Sequence, residues 1–267
     1  MERFNRFLAT HQKPSKFVIG FLWVFWTLFV IYLGVPKVLA FVLMAIGLFS
    51  CTISISTAPM KLLKRPLEIL QQQCDPYPFL EEAKAQLGYG GSNADLQVRQ
   101  INYAMALRQI GQYEQAENLL RSINIDQHPG LLPIIKVVYY NNLMDMCALR
   151  GKYQEVRIWY EKTVQIFSGI KEGKQKAQLA NTVAANRAEY CFAGGAYDEA
   201  LRIREENRPE NLLQQIETAM FCARVYLLQG KREQAAEALR FVEQFGNKVY
   251  AVQEARQMLA EMKAQEQ

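Results

Sequence analysis

The sequence predicts an all-α protein: an N-terminal transmembrane helical hairpin, then an α-solenoid of about four helical hairpins ended by a C-terminal capping helix. Three observations carry that prediction. Residues 17–34 and 38–57 form two long apolar runs, and between Phe17 and Pro59 the one charged residue is Lys37. Further on, a glycine-centred turn recurs four times, as GQYEQA at Gly111, GKYQEV at Gly151, GAYDEA at Gly195 and GKREQA at Gly230. Apolar residues at helical spacing flank each turn, and Pro- or Gly-containing breaks separate one pair of runs from the next.

Residues 1–16 are a basic flank, with Arg3, Arg6, His11, Lys13 and Lys16 against Glu2. The run FVIGFLWVFWTLFVIYLG that follows would extend close to ~30 Å as a helix, the thickness of a bilayer's hydrocarbon core. Val35-Pro36-Lys37 interrupts it with a helix breaker and a charge. A second span fills 38–57, its end softened by Ser50, Thr52, Ser54 and Ser56. Trp23 and Trp26 sit inside the first span rather than at its ends, which suits packing residues or lipid-facing bulk better than interface anchors.

Orientation follows from the positive charges. Lys13 and Lys16 precede the first span and Lys61, Lys64 and Arg65 follow the second, whereas the turn between them offers Lys37 alone. The expectation is a multi-pass protein of the inner (plasma) membrane with both long ends in the cytoplasm. A cleaved signal peptide fits poorly, because a second span follows the first. Leu48-Phe49-Ser50-Cys51 resembles a bacterial lipoprotein cleavage box, but Phe49 stands where a small residue is usual and a complete span precedes it; if used, it would put the repeats outside the cell. Cys51, Cys74, Cys147, Cys191 and Cys222 are an odd set without a CxxC pair. They read as free thiols in a reducing compartment, in agreement with the charge argument.

Residues 59–94 are expected to lead from membrane to repeats. KLLKRPLEILQQQ (61–73) reads as a basic juxtamembrane helix started by Pro66, beside anionic headgroups. Asp75-Pro76-Tyr77-Pro78 breaks the path, a short helix resumes over 79–87, and Gly88, Gly90, Gly91 and Ser92 form a loop or flexible joint. That loop lacks the GxxxxGK[ST] order that cradles phosphate.

The repeat domain is expected over 95–267. Helices at 95–110 and 113–123, 131–150 and 153–168, 174–193 and 197–206, and 210–229 and 232–245 would form four hairpins, with a polar-faced cap at 248–263. His128-Pro129-Gly130 and Arg208-Pro209 mark breaks between hairpins. The turn glycines are spaced 40, 44 and 35 residues (111 to 151, 151 to 195, 195 to 230), the range of stacked helical repeats. Each glycine is expected to end its first helix in the left-handed conformation.

These turns resemble the tetratricopeptide repeat, which places Gly at the helix turn, an aromatic two residues on (Tyr113, Tyr153, Tyr197) and Ala five beyond (Ala116, Ala200, Ala235). Small residues seven before the turn (Ala104, Ala188, Ala223) and Leu120, Tyr160 and Leu239 downstream extend the match. Met144, Val156, Arg232 and Arg204 depart from it, as do the unequal unit lengths. The resemblance covers roughly 95–246 and implies a binding platform for proteins.

It also implies where a partner would sit. Nine residues before the turn glycines stand Asn102, Asn142 and Asn186, with Phe221 in the fourth unit. In the resembled family this place faces a concave groove, where asparagine bonds the backbone of an extended peptide; an amide both donates and accepts. Three residues further along stand Met105, Asp145, Glu189 and Arg224 as candidate selectors of mixed sign. The basic pairing by which some members grip a terminal carboxylate is missing, since Ile101 and Met105 hold the relevant face.

No enzymatic chemistry is expected. The two histidines, His11 and His128, cannot build a metal cluster or a nucleophilic triad with neighbouring motifs. Carboxylate pairs such as Glu81-Glu82 and Glu205-Glu206 read as solvated faces. A net charge of +5, dispersed along the chain, does not suit nucleic acid. No catalytic residue, cofactor, metal or small-molecule substrate is expected, and the expected partners are a protein or peptide and the lipid bilayer. The leading expectation is a membrane-anchored adaptor or scaffold holding an extended partner segment. The alternative is a structural subunit that joins a membrane complex through its apolar hairpin.

Overall fold

A computed structural model describes residues 2–127 and 132–265. Among them are thirteen α-helices, packed as sequential pairs. The N-terminal part comprises α1 (Glu2–Thr10), α2 (Gln12–Tyr32), α3 (Lys37–Gln73) and α4 (Tyr77–Gln86). Four hairpins follow: α5 (Asn93–Gln109) with α6 (Tyr113–Ser122), α7 (Pro133–Leu149) with α8 (Tyr153–Ser168), α9 (Lys174–Ala193) with α10 (Tyr197–Glu206), and α11 (Leu212–Leu228) with α12 (Arg232–Phe245). A last helix, α13 (Ala251–Ala264), packs on α11 and α12. The break at His128-Pro129-Gly130 lies outside the described residues.

Helices α2 and α3 are long and apolar enough to cross a membrane. They pack on one another, and their outer faces leave Phe21, Phe25, Phe29, Phe41, Ile46 and Phe49 exposed. Trp23 lies flat against Gly47, where any Cβ would come within 2.2 Å of its ring, and its Nε1 donates to Cys51 Sγ at 3.4 Å. Trp23 is thus a packing residue of the hairpin, and Trp26 meets it edge-on while remaining half exposed.

The second apolar run and the basic segment after it are one helix, not the two expected. α3 continues for 37 residues, ~55 Å at 1.5 Å per residue, straight through Pro59 and Pro66. A proline inside a helix costs ~3 kcal/mol through its missing donor and ring clash. Packing on both sides of the prolines offsets that cost. Ile55, Ala58 and Leu62 bury against Leu8 and Ala9 of α1, while Leu63 and Leu70 enter the core of the repeat domain. The basic N-terminal flank is therefore a helix folded back on α3. Its Arg6 donates to Glu82 (2.9 Å) and to Tyr89 (3.1 Å), and Gln86 donates to the Pro59 carbonyl (2.8 Å).

The glycine-rich stretch is a loop, but it is held. Arg99, 4% exposed, donates to the carbonyls of Gln86 (3.1 Å) and Gly90 (3.2 Å), and Ser92 and Asp95 close a capping box at the start of α5. Leu70, Cys74, Phe79 and Ala83 share one buried cluster with residues of α11, α12 and α13. The segment between apolar hairpin and repeats is thus part of the domain's core.

All four turn glycines are left-handed, with φ of +79°, +68°, +79° and +71° at Gly111, Gly151, Gly195 and Gly230. Each turn closes with the same pair of bonds. At the first, Gln112 N donates to Leu107 O and Gly111 N to Arg108 O, both at 3.0 Å, and the pattern repeats through Lys152, Ala196 and Lys231. The residues seven before and five after each glycine, Met144 and Val156 included, are fully buried where the two helices meet.

The stack then curls until its end meets its beginning. Tyr250 N donates to Gln109 O (2.9 Å), Lys248 N to Cys74 O (3.2 Å) and Asn247 Nδ2 to Gln73 O (2.7 Å). The Tyr250 ring covers Gly111 and meets Tyr113 edge-on. These contacts tie the N-terminal end of the cap to the first hairpin and to the end of α3.

Between the first two hairpins, Glu117 is buried and takes Arg121 (2.7 Å), Arg150 (2.5 Å) and Lys152 (2.6 Å). Burial alone would raise its carboxyl; the bonds from Lys152, Arg121 and Arg150 outweigh it and hold the group at about 2. Because the three cations are about a third exposed, water screens them, and Glu117→Gln should cost about 1–3 kcal/mol at neutral pH. A depressed carboxyl stabilises the fold above its unfolded value, ~4.3, and that contribution is lost as pH falls through its folded one. The gap in thermal stability between wild type and Glu117→Gln should therefore narrow between pH ~4.3 and ~2; a gap that stays constant would refute the role given to Glu117.

The glycines allow a second comparison. Gly195→Ala meets nothing within 4 Å and should cost the left-handed penalty alone, about 1–2 kcal/mol. At Gly111 an added Cβ would lie 2.5 Å from the Tyr250 ring. Gly111→Ala should lose a further ~1–3 kcal/mol in chemical denaturation, and equal losses would mean that the cap does not press on the first turn.

Candidate functional site

The curled stack surrounds a half-open cavity of about 590 Å³. Its walls follow from helical periodicity, since residues three and four apart share a face. α5 presents Met105, Arg108 and Gln109; α7 presents Asn141, Asn142, Asp145 and Ala148; α9 presents Asn181, Thr182, Ala185, Asn186 and Glu189. α11 adds Gln214, Glu217, Thr218 and Arg224, and α13 adds Glu254, Gln257 and Met258. Five helices each turn one polar stripe inward.

Of the residues singled out in the sequence, Asn142, Asn186, Asp145, Glu189 and Arg224 line this cavity, together with Met105. Asn102 does not; it is half-buried elsewhere on α5. The three asparagines also differ in what they bond. Asn142 Nδ2 donates to Val138 O of its own helix at 2.8 Å, whereas Asn186, 1% exposed, has an Nδ2 without a partner.

Two charged groupings organise the walls. In the first, Arg108 reaches across the ring to Asp145 (2.6 Å) and to Glu217, and Gln109 also donates to Glu217 (3.0 Å). Arg108 keeps its charge: burial works against it, but Glu217 and Asp145 together hold its proton more firmly than usual. Burial pushes the Asp145 carboxyl up to about 6, against the pull of Arg108 and with the help of Glu217 and Glu189. Nearby, burial raises the Glu254 carboxyl against the Tyr113 hydroxyl and Arg224.

In the second grouping, Arg204 and Arg224 both donate to one oxygen of Glu189, each at 3.3 Å. The Arg204 guanidinium lies 4.5 Å from the centre of the Phe221 ring. Phe221 and Arg204 are two of the departures from the repeated pattern, one where an asparagine stood in the other units and one where an apolar residue was expected. They stack on each other, the arginine's charge over the aromatic face and its stem against the core. Glu189 Oε2, Arg204 Nε and Arg108 Nε are buried without partners, like Asn186 Nδ2.

The sequence reading missed Arg108, Glu217 and Arg204. Arg108 follows Met105 by one turn on the inward face, so helical spacing alone would have found it; Glu217 could not be paired with it across 109 residues of chain.

A separate cluster brings Glu117, Cys147 and Glu155 within 4.8 Å of one another. The donor set does not suit a metal ion. Glu117 already holds three side-chain cations, Arg121 also pairs with Glu155, and burial together with Glu155 and Glu117 pushes the Cys147 thiol up to about 11.

No protein-family model matches the chain, and neither does any curated protein or solved structure.

The Asp145 carboxyl supplies a pH test. Its folded pKa lies above its unfolded one, ~3.9, so between about pH 4 and 6 folding takes up a proton there and stability falls as pH rises. Relative to Asp145→Asn, the wild type should lose stability between pH ~4 and ~7, and the carbon resonance of its carboxyl should titrate near 6. An Asp145 resonance titrating near 4 would refute the burial and charge crowding described here.

Proposed function

We propose that this protein is a membrane-anchored interaction adaptor of tetratricopeptide-like type, whose two apolar helices cross the inner membrane and whose cytoplasmic repeat domain takes a segment of a partner protein. The observation that carries this reading is the wall of amides and charges, to which every hairpin contributes, with buried polar atoms left without partners inside the protein. Buried donors and acceptors are nearly always satisfied, by protein, water or a bound group, so four unpartnered atoms gathered on one wall support a place where something else binds. Amide side chains suit a peptide backbone, which offers a donor and an acceptor at every residue.

The volume sets the length of that segment. A cavity of about 590 Å³ is in the size range of small-ligand pockets. It suits a chain end or a few residues of an extended segment rather than a strand running along the whole stack.

Anchoring adds to the affinity. With α3 running unbroken from its apolar half into the domain's core, the cavity is carried at a set position above the membrane rather than on a slack tether. Partners confined to the same membrane then meet it at raised effective concentration. A photo-crosslinking residue at Asn181, inside the cavity, should capture a partner in intact membranes, while the same residue at Ile158, exposed on α8, should not. Equal yields from the two sites would refute the cavity as the docking place. Protease added outside intact cells should leave residues 60–265 whole; cleavage there would refute the orientation.

A further inference from the structure

We propose that the cavity selects a short zwitterion, a ligand carrying an ammonium and a carboxylate a few bonds apart, either as a free amino acid or dipeptide or as the same two groups on a partner's segment. This rests on the reading of the cavity as a binding site, and it names the chemistry that the walls select. The unpartnered atoms specify it. Asn186 Nδ2, Arg204 Nε and Arg108 Nε are donors that need an acceptor, while Glu189 Oε2 is an acceptor that needs a donor. Asn186 is 1% exposed and Glu189 6%, and both stand on the cavity wall.

The charges point the same way. Arg204 and Arg224 share a single oxygen of Glu189, which leaves positive charge in excess over Phe221. Beside it, the one guanidinium of Arg108 is divided between Asp145 and Glu217, which leaves negative charge in excess. A simple anion or cation would relieve one pole and aggravate the other. A zwitterion relieves both: its ammonium can donate to Asp145 and Glu217 while its carboxylate accepts from Asn186 and Arg204, and an N–H between them can donate to Glu189 Oε2. Asn181 donates to Glu210 and Gln214 accepts from the Glu210 N–H, which leaves the Asn181 amide oxygen and the Gln214 amide nitrogen for a peptide group between the two charges.

Calorimetric titration of the full chain in nanodiscs tests this with three probes: dialanine, its N-acetyl form and its C-terminal amide. Dialanine should bind, and each capped form should bind about tenfold or more weakly, because each cap removes a charge-assisted hydrogen bond. Asn186→Ala should weaken dialanine by a similar factor while leaving thermal melting in place, since its Nδ2 bonds nothing in the free protein; Glu217→Gln should abolish the preference for the free amine. Capped probes that bind as tightly as dialanine would overturn the proposal, as would no heat at about 10 mM dialanine, beyond the millimolar range. If either happens while crosslinking at Asn181 persists, the ligand class fails and the docking cavity stands; loss of that crosslink as well removes both. Where dialanine does bind, displacement of the crosslinked partner assigns the zwitterion to the partner's segment, and undisturbed crosslinking assigns it to a free ligand.

Discussion

At the seam where the helical stack closes on itself stands part-buried charge placed across a gap. Arg108 on the first hairpin grips Asp145 on the second and Glu217 on the fourth, with Tyr250 and the end of α3 closing the same side. Taking a guanidinium and the Asp145 carboxylate largely out of water is costly, and the attraction among the three charges repays it only with good geometry and further hydrogen bonds. Apolar side chains there would give a tighter stack and no cavity. Keeping charges at this seam holds the first and last hairpins together while leaving a polar space between them.

The same economy explains the two departures that meet between the third and fourth hairpins. An arginine at a core position is expensive unless its head finds a partner and its stem finds a surface. Arg204 finds Glu189 for the one and Phe221 for the other, and Phe221 in turn fills the place that a wall asparagine takes in the second and third hairpins. Read singly, each substitution weakens the repeat; together they build one pole of the cavity. The apolar hairpin and the cavity are likewise joined by ordinary packing, since the C-terminal half of α3 belongs to the core that also contains α11 and α12.

Much of this was legible in the chain. Glycine spacing located four turns, and all four are left-handed, because no other residue takes that conformation cheaply. Helix boundaries from 93 onward lie within about three residues of those expected, apolar period and turn residues being local signals. Five of the six candidate wall residues line the cavity; Asn102 does not, because the first hairpin turns Met105, Arg108 and Gln109 inward instead. The break expected near Pro66 failed for a tertiary reason, since packing from α1 on one side and the repeat core on the other carries the helix through both prolines.

The sequence alone determined the all-helical class, the two apolar helices of membrane length, the four hairpins and the inward register of most polar wall residues. These rest on period, turn chemistry and run length, which act within a few tens of residues. Only the tertiary structure decided that α3 is continuous, that α1 folds back on it, that the stack closes on itself and that Arg108 and Glu217 meet across the gap. Those features depend on contacts between residues tens to more than a hundred positions apart, and no local pattern encodes which distant side chain will complete a buried charge.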